Sequence, residues 1–176
     1  MAWINADLVQ IDGVTQADIA PLVVAGRGGI GVDTPVSIGV VNATPVVLTG
    51  FDTEVLSTPV GITQNLVNDG LIFNEVGVWV VYIKISLTMD EINAGTTIAF
   101  RFFNKTKGTY GTATYRFPLG RNTGGATIPL TLPFDITSSI VGDVIQLAVL
   151  SESDTFTSVV NAGTVFSATR ASEFIA

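Results

Sequence analysis

The stretch GVWVVYIKISL, residues 77–87, alternates between two kinds of side chain and constrains the fold more than any other segment. Every second residue from Trp79 to Leu87 is apolar: Trp79, Val81, Ile83, Ile85 and Leu87. Successive side chains of a β-strand point to opposite faces, so these five share one face. The segment therefore predicts a long strand with one face buried in a core.

The opposite face of the same predicted strand is apolar at one end and polar at the other. It carries Val80 and Tyr82, followed by Lys84 and Ser86. A face that lies fully in solvent would not be expected to carry the apolar side chain of Val80 or the aromatic side chain of Tyr82. The pattern leaves two alternatives for what covers them: a neighbouring subunit, or an N-terminal strand of the same chain.

The rest of the chain also favours strands. Val, Ile and Thr supply 61 of the 176 residues, and β-branched residues fit strands better than helices. Runs of these residues, bounded by Gly, Pro, Asn and Asp, predict strands near 36–41, 45–50, 71–73, 78–87, 96–103, 109–117, 126–132, 144–150, 156–160 and 164–168. Thr-Pro-Val occurs three times and marks strand starts, where proline is tolerated. Short strands at this spacing predict an antiparallel sandwich or barrel.

Charge is scarce. Hydrophobic residues make up 47% of the chain and charged residues 13%, against about a quarter in typical soluble domains. We therefore expect part of the apolar surface to be buried against other subunits. A net charge of −7 with three lysines argues against nucleic acid, since affinity for phosphates rests on Lys and Arg.

No membrane span and no export signal are predicted. The longest uncharged region, 34–51, is interrupted by Pro35 and Pro45, whereas a spanning helix needs about 20 mostly apolar residues. The opening residues, MAWINADLVQ, lack a basic region followed by an apolar run.

The composition also limits the chemistry. The chain has no cysteine and no histidine, which removes disulfides, thiolate zinc sites, cysteine nucleophiles and the usual general base. No S-x-x-K motif is present to activate a serine. We predict that the protein is not an enzyme and uses no cofactor.

The acidic pairs Asp52/Glu54, Asp90/Glu91 and Glu152/Asp154 are interpreted as solvated turns. A metal on a symmetry axis stays open, because each subunit would then supply only one or two ligands.

Residues 1–33 are predicted to form an extended N-terminal arm, and residues 34–176 the sandwich domain. The arm is apolar at Trp3, Ile4, Leu8, Val9 and Ile11. The glycines at 26, 28, 29 and 31 follow and suggest a flexible hinge. They include a formal G-x-G-x-x-G, but no helix pattern follows, so we do not assign a phosphate site. The arm must pack on its own sandwich, on a neighbouring subunit or on a larger assembly.

Several motifs, in order, resemble the tumour-necrosis-factor/complement-type jelly-roll family over residues 48–167. A Gly with an aromatic two residues later opens a central strand at Gly77 and Trp79, and a second such strand is GTTIAFRFFNK. A Gly-acid pair, Gly142 and Asp143, leads into an alternating strand, and AGTVFSAT matches the final F-S strand of the family. The chain departs from the family at its end, where SATRASEFIA replaces a Gly-aromatic-Leu-Leu strand.

The resemblance implies an all-β, antiparallel jelly-roll β-sandwich that forms a homotrimer. In such a trimer the second face of the 77–87 strand would lie toward the threefold axis. The candidate trimer-interface residues are Val80, Tyr82, Phe100 and Phe102.

These observations lead to a functional hypothesis. We predict a trimeric capsid decoration or cement protein of a bacteriophage, assembled in the host cytoplasm and located on the virion surface. Its expected partner is the major capsid protein, with the arm residues named above as the capsid anchor. The alternative is a receptor- or glycan-binding tip or adaptor of a tail fibre.

Overall fold

The computed structural model describes residues 26–90, 96–119 and 125–170, and these form a sandwich of two antiparallel sheets. Sheet A contains β1 (Arg27–Val32), β2 (Val36–Val41), β4 (Thr53–Glu54), β7 (Gly77–Met89), β11 (Gly125–Ile136), β13 (Phe156–Val160) and β14 (Thr164–Arg170). Sheet B contains β3 (Val46–Val47), β5 (Ile62–Asn65), β6 (Gly70–Phe73), β8 (Thr97–Asn104), β9 (Thr109–Tyr110), β10 (Tyr115–Pro118) and β12 (Val144–Ser151). A single 3₁₀ turn, Leu66–Asn68, joins β5 to β6.

The central strand of sheet A is β7, the strand that contains the alternating stretch. On one side it pairs with β11 along its length. On the other side it pairs with β14 over its first half and with β13 near its end. Sheet B runs β10-β8-β12-β6-β5. The predicted jelly-roll β-sandwich is confirmed.

The core lies between the two sheets. The five alternating apolar residues of β7 point into it, each with at most 1% of its surface exposed. The ring of Trp79 packs edge-on against Phe73 of sheet B, with the ring centroids 5.1 Å apart. Phe166 of β14 is fully buried and lies opposite Ile83 of β7 in the register. The predicted buried face of the 77–87 strand is therefore confirmed.

The glycine-rich segment is not a hinge. Residues 27–32 form β1, which pairs with β14 and places Ile30 in the core. A Cβ at Gly26 would stand 2.4 Å from the Trp79 ring, and one at Gly28 would stand 2.8 Å from Ile62. These glycines allow close packing rather than flexibility. The sandwich therefore includes residues that the sequence assigned to the arm, and the boundary at 33/34 is corrected accordingly.

Most predicted strands are present, and two of the three Thr-Pro-Val prolines do precede strands, at β2 and β3. The strands β1, β4 and β5 were not predicted. No helix in the described ranges is long and apolar enough to cross a membrane.

Candidate functional site

The solvent face of sheet A carries a row of partly exposed apolar side chains that no other described residue covers, and we call it the apolar stripe: Val78, Val80 and Tyr82. They alternate along β7 with the core residues and are 50%, 41% and 42% exposed. The sequence singled out the last two. Extending the alternation by one step would have found Val78.

Small side chains surround the stripe. In the sheet register Tyr82 lies between Thr131 of β11 and Ser167 of β14, and Val80 lies beside Thr169. Beyond Ser167 the row ends at Gly29 of β1. Because none of these neighbours is bulky, the Tyr82 ring stands on a nearly flat surface. Such a surface suits packing against another protein surface better than enclosing a small ligand.

The described part of this face carries few charges. Alternation places Lys84 on it, one step beyond Tyr82. Arg27 ends the row that contains Val80 and Thr169, and Asp135 lies opposite Val78 in the register. The ion pairs among the described residues involve other side chains: Lys107–Asp143 at 2.9 Å, Arg116–Glu152 at 2.8 Å and Arg170–Glu75 at 2.6 Å. An apolar patch that carries so little charge is typical of a surface that contacts another protein.

Two of the four predicted interface residues lie elsewhere. Phe100 and Phe102 belong to β8, which pairs within sheet B and not with β7. Their side chains point into the core and are 0% and 6% exposed. They do not join Val80 and Tyr82, and this part of the prediction is wrong. The sequence shows that β8 alternates, but it does not show which sheet the strand enters.

A second partly exposed surface lies where the edges of the two sheets meet. The edge strand β10 contributes Tyr115 and Phe117, and β11 contributes Phe134, all of them half-buried. Phe102 lies beneath, with ring centroids 4.4 Å from Phe134 and 6.1 Å from Tyr115. We call Tyr115, Phe117 and Phe134 the aromatic seam. The sequence analysis did not identify it, because only the packing of the two sheets brings β10 and β11 together.

Carboxylates fasten the loops around the sandwich. The Asp52 carboxylate accepts hydrogen bonds from the backbone N–H groups of Asp33 and Thr34, and the first of these is the main cause of its lowered pKa. The Asp143 carboxylate accepts from the Asn104 amide at 2.7 Å and from Lys107. These contacts, the amide first, lower the pKa of Asp143.

Stability is expected to fall in acid for this reason. A carboxyl whose pKa is lowered by folding binds fewer protons in the native than in the unfolded chain. Its contribution is present above the unfolded pKa of about 3.9 and is lost as the pH falls through the lower native value. Urea unfolding of wild type and Asp143→Asn should be measured at pH 7 and pH 3. The free energy of unfolding should fall less between the two pH values in the variant than in wild type. Equal losses in the two proteins would contradict this account.

The predicted anchor residues and the metal that the sequence left open remain to be considered. The anchor candidates Trp3, Ile4, Leu8, Val9 and Ile11 lie outside the described residues. Within ranges 26–90, 96–119 and 125–170, no three or more His, Cys, Asp or Glu side chains gather as a metal site.

Solved structures share this fold at low sequence identity. The structure of Eiger TNF from S. frugiperda matches with a TM-score of 0.56 and 11% identity, covering 84% of this chain and 92% of that one. Murine APRIL at pH 5.0 matches with a TM-score of 0.52 and 14% identity, covering 84% and 99%. The chain has a TNF-like jelly-roll fold.

One further solved structure matches more weakly. The PRD1 vertex protein P5 matches with a TM-score of 0.45 and 16% identity, covering 83% of this chain and 97% of that one. No protein-family model and no curated protein matches the sequence.

Proposed function

We propose that the protein is a non-enzymatic structural protein that works as a homotrimer. The observation that carries this proposal is the apolar stripe, which is 41–50% exposed and which no other described residue covers. Removing it from water favours association by about 25 cal/mol for each Å² of apolar area. The TNF-like fold supports a trimer through the resemblance noted in the sequence.

A closed ring of three subunits needs two different surfaces on each subunit, because its contacts run head to tail. The stripe supplies one surface. The aromatic seam supplies the other, since it is partly exposed, apolar and formed by different strands. In this arrangement the seam of one subunit covers Val80 and Tyr82 of the next.

The finer proposal is a capsid decoration or cement protein on a bacteriophage virion. The low charge of the chain and its apolar N-terminal residues support attachment to a large assembly such as the major capsid protein. The anchor would be Trp3, Ile4, Leu8, Val9 and Ile11. Jelly rolls are common among viral structural proteins, which is an analogy at the level of fold.

A second candidate function, a glycan-binding tip or adaptor of a tail fibre, is favoured by one observation. A shallow depression is lined mainly by hydroxyl, amide and carboxylate groups of Asn42, Thr44, Ser151, Glu152, Ser153, Asp154 and Thr155. Such groups can hydrogen-bond to a sugar. Binding to a panel of bacterial surface glycans, lost in Ser153→Arg, would favour this function over decoration.

The trimer is tested first by mass. Size-exclusion chromatography with light scattering at micromolar concentration should give three times the chain mass of 18.4 kDa. A stable monomer would contradict the proposal. Decoration is tested by mixing the protein with undecorated capsids of its phage and measuring what co-sediments. If the protein is a trimer but does not bind such capsids, the proposal of a trimer stands and the proposal of a decoration protein is rejected.

A further inference from the structure

The longest free edge in the described part of sheet A belongs to β11. This strand has 12 residues and pairs only with β7 within that part. Its sequence, GATIPLTLPFDI, is rich in apolar and β-branched residues and has one charged residue, Asp135. A long, weakly charged edge of this kind usually templates pairing with another strand.

Two prolines lie inside this strand, at positions 129 and 133. The register with β7 runs through both without a shift, from Gly125 opposite Thr88 to Ile136 opposite Gly77. Proline has no backbone N–H, so an unbroken ladder requires that both prolines occupy positions that do not donate to β7.

The hydrogen bonds of β7 show the same geometry independently. The N–H of Ser86 donates to the Thr164 hydroxyl at 3.0 Å, and the Ser86 carbonyl accepts from the N–H of Asn161. The even-numbered residues of β7 therefore direct their backbone groups toward β13 and β14. Their partners on β11, which include both prolines, direct their own backbone groups toward the free edge.

From Thr127 to Asp135 the free edge consequently lacks every second donor. The positions that face outward are 125, 127, 129, 131, 133 and 135, and proline removes the N–H at two of them. Between positions 127 and 135, no two neighbouring outward positions keep their donors. A strand added here would leave unsatisfied carbonyl groups along its length, which is costly once water is excluded.

We propose that Pro129 and Pro133 close the β11 edge to strand addition, so that copies of this chain can meet there only through side chains. The association of copies then stays discrete and does not extend sheet A from one molecule to the next. This inference concerns the edge itself and holds whether the free protein is a trimer or a monomer.

The test replaces both prolines by threonine, which fits strands and restores the two donors. Pro129→Thr/Pro133→Thr is expected to form large, concentration-dependent species that bind thioflavin T, with more than a tenfold gain in sedimentable protein over wild type. The matched control is Pro35→Thr/Pro45→Thr, since these prolines precede β2 and β3 rather than lie within a strand. The control should keep the size of wild type.

A third variant separates edge pairing from a folding defect. Adding Thr127→Pro and Thr131→Pro to the double variant puts two prolines back at alternate outward-facing positions, and discrete size should return. If the double variant keeps the wild-type size, the proposal is overturned. If the third variant aggregates as strongly as the double variant, the aggregation comes from misfolding and the proposal is also overturned. If the wild-type protein is a monomer, the proposed trimer is rejected, but this test of the β11 edge still applies.

Discussion

Tyr82→Asp is expected to convert the proposed trimer into monomers at micromolar concentration. The substitution places a carboxylate in the middle of the apolar stripe, where the described neighbours in its row are Thr131 and Ser167. A charge buried without a partner costs about 3–5 kcal/mol, and a closed trimer buries three of them. Light scattering should therefore report the mass of one chain.

The matched control is Tyr110→Asp. Tyr110 is a tyrosine of similar exposure, 39% against 42%, but it lies on β9 at sheet B. It packs on Phe103 and donates to the Pro45 carbonyl, so its loss should lower stability modestly and leave the trimer intact. If Tyr82→Asp remains a trimer, Tyr82 is not in the interface. If both variants dissociate, the effect is not specific to the stripe.

Deletion of residues 1–31 is expected to prevent folding, whereas deletion of residues 1–25 is expected to leave a folded trimer. The longer deletion removes β1 except for Val32. It exposes one side of β14 and takes Ile30 from the core. It also leaves Gln64, which accepts from the Gly29 N–H, without this partner. Losing Ile30 alone corresponds to about 2–5 kcal/mol, within a total stability of about 5–15 kcal/mol.

Thermal unfolding followed by circular dichroism distinguishes the two deletions. Removal of residues 1–25 should leave the melting temperature within a few degrees of wild type and abolish co-sedimentation with undecorated capsids. A folded protein lacking residues 1–31 would contradict the place of β1 in the sandwich. If the shorter deletion folds and still decorates capsids, the anchor lies elsewhere and Trp3 to Ile11 have another role.

The glycines in and next to β1 show where sequence reasoning fails. Gly26, Gly28, Gly29 and Gly31 indicated freedom of the backbone, because glycine lowers the cost of turning. Three of them are needed for close contacts with distant parts of the chain: Gly26 with the Trp79 ring, Gly28 with the Ile62 side chain and Gly29 with Ser167. The sequence around a glycine does not tell conformational freedom from close contact, since the contacting atoms are not local.

The sequence by itself determined the faces of β7. A period of two is a local property of the strand, so the choice of Trp79, Val81 and Ile83 for the core and of Val80 and Tyr82 for the opposite face needed no partner. Which strands lie beside one another was decided only in the tertiary structure. Phe100 and Phe102 alternate as regularly, yet they enter the other sheet and face the core. Strand order depends on hydrogen bonds between residues far apart in the chain. The aromatic seam and the free edge of β11 therefore became visible only when the two sheets were assembled.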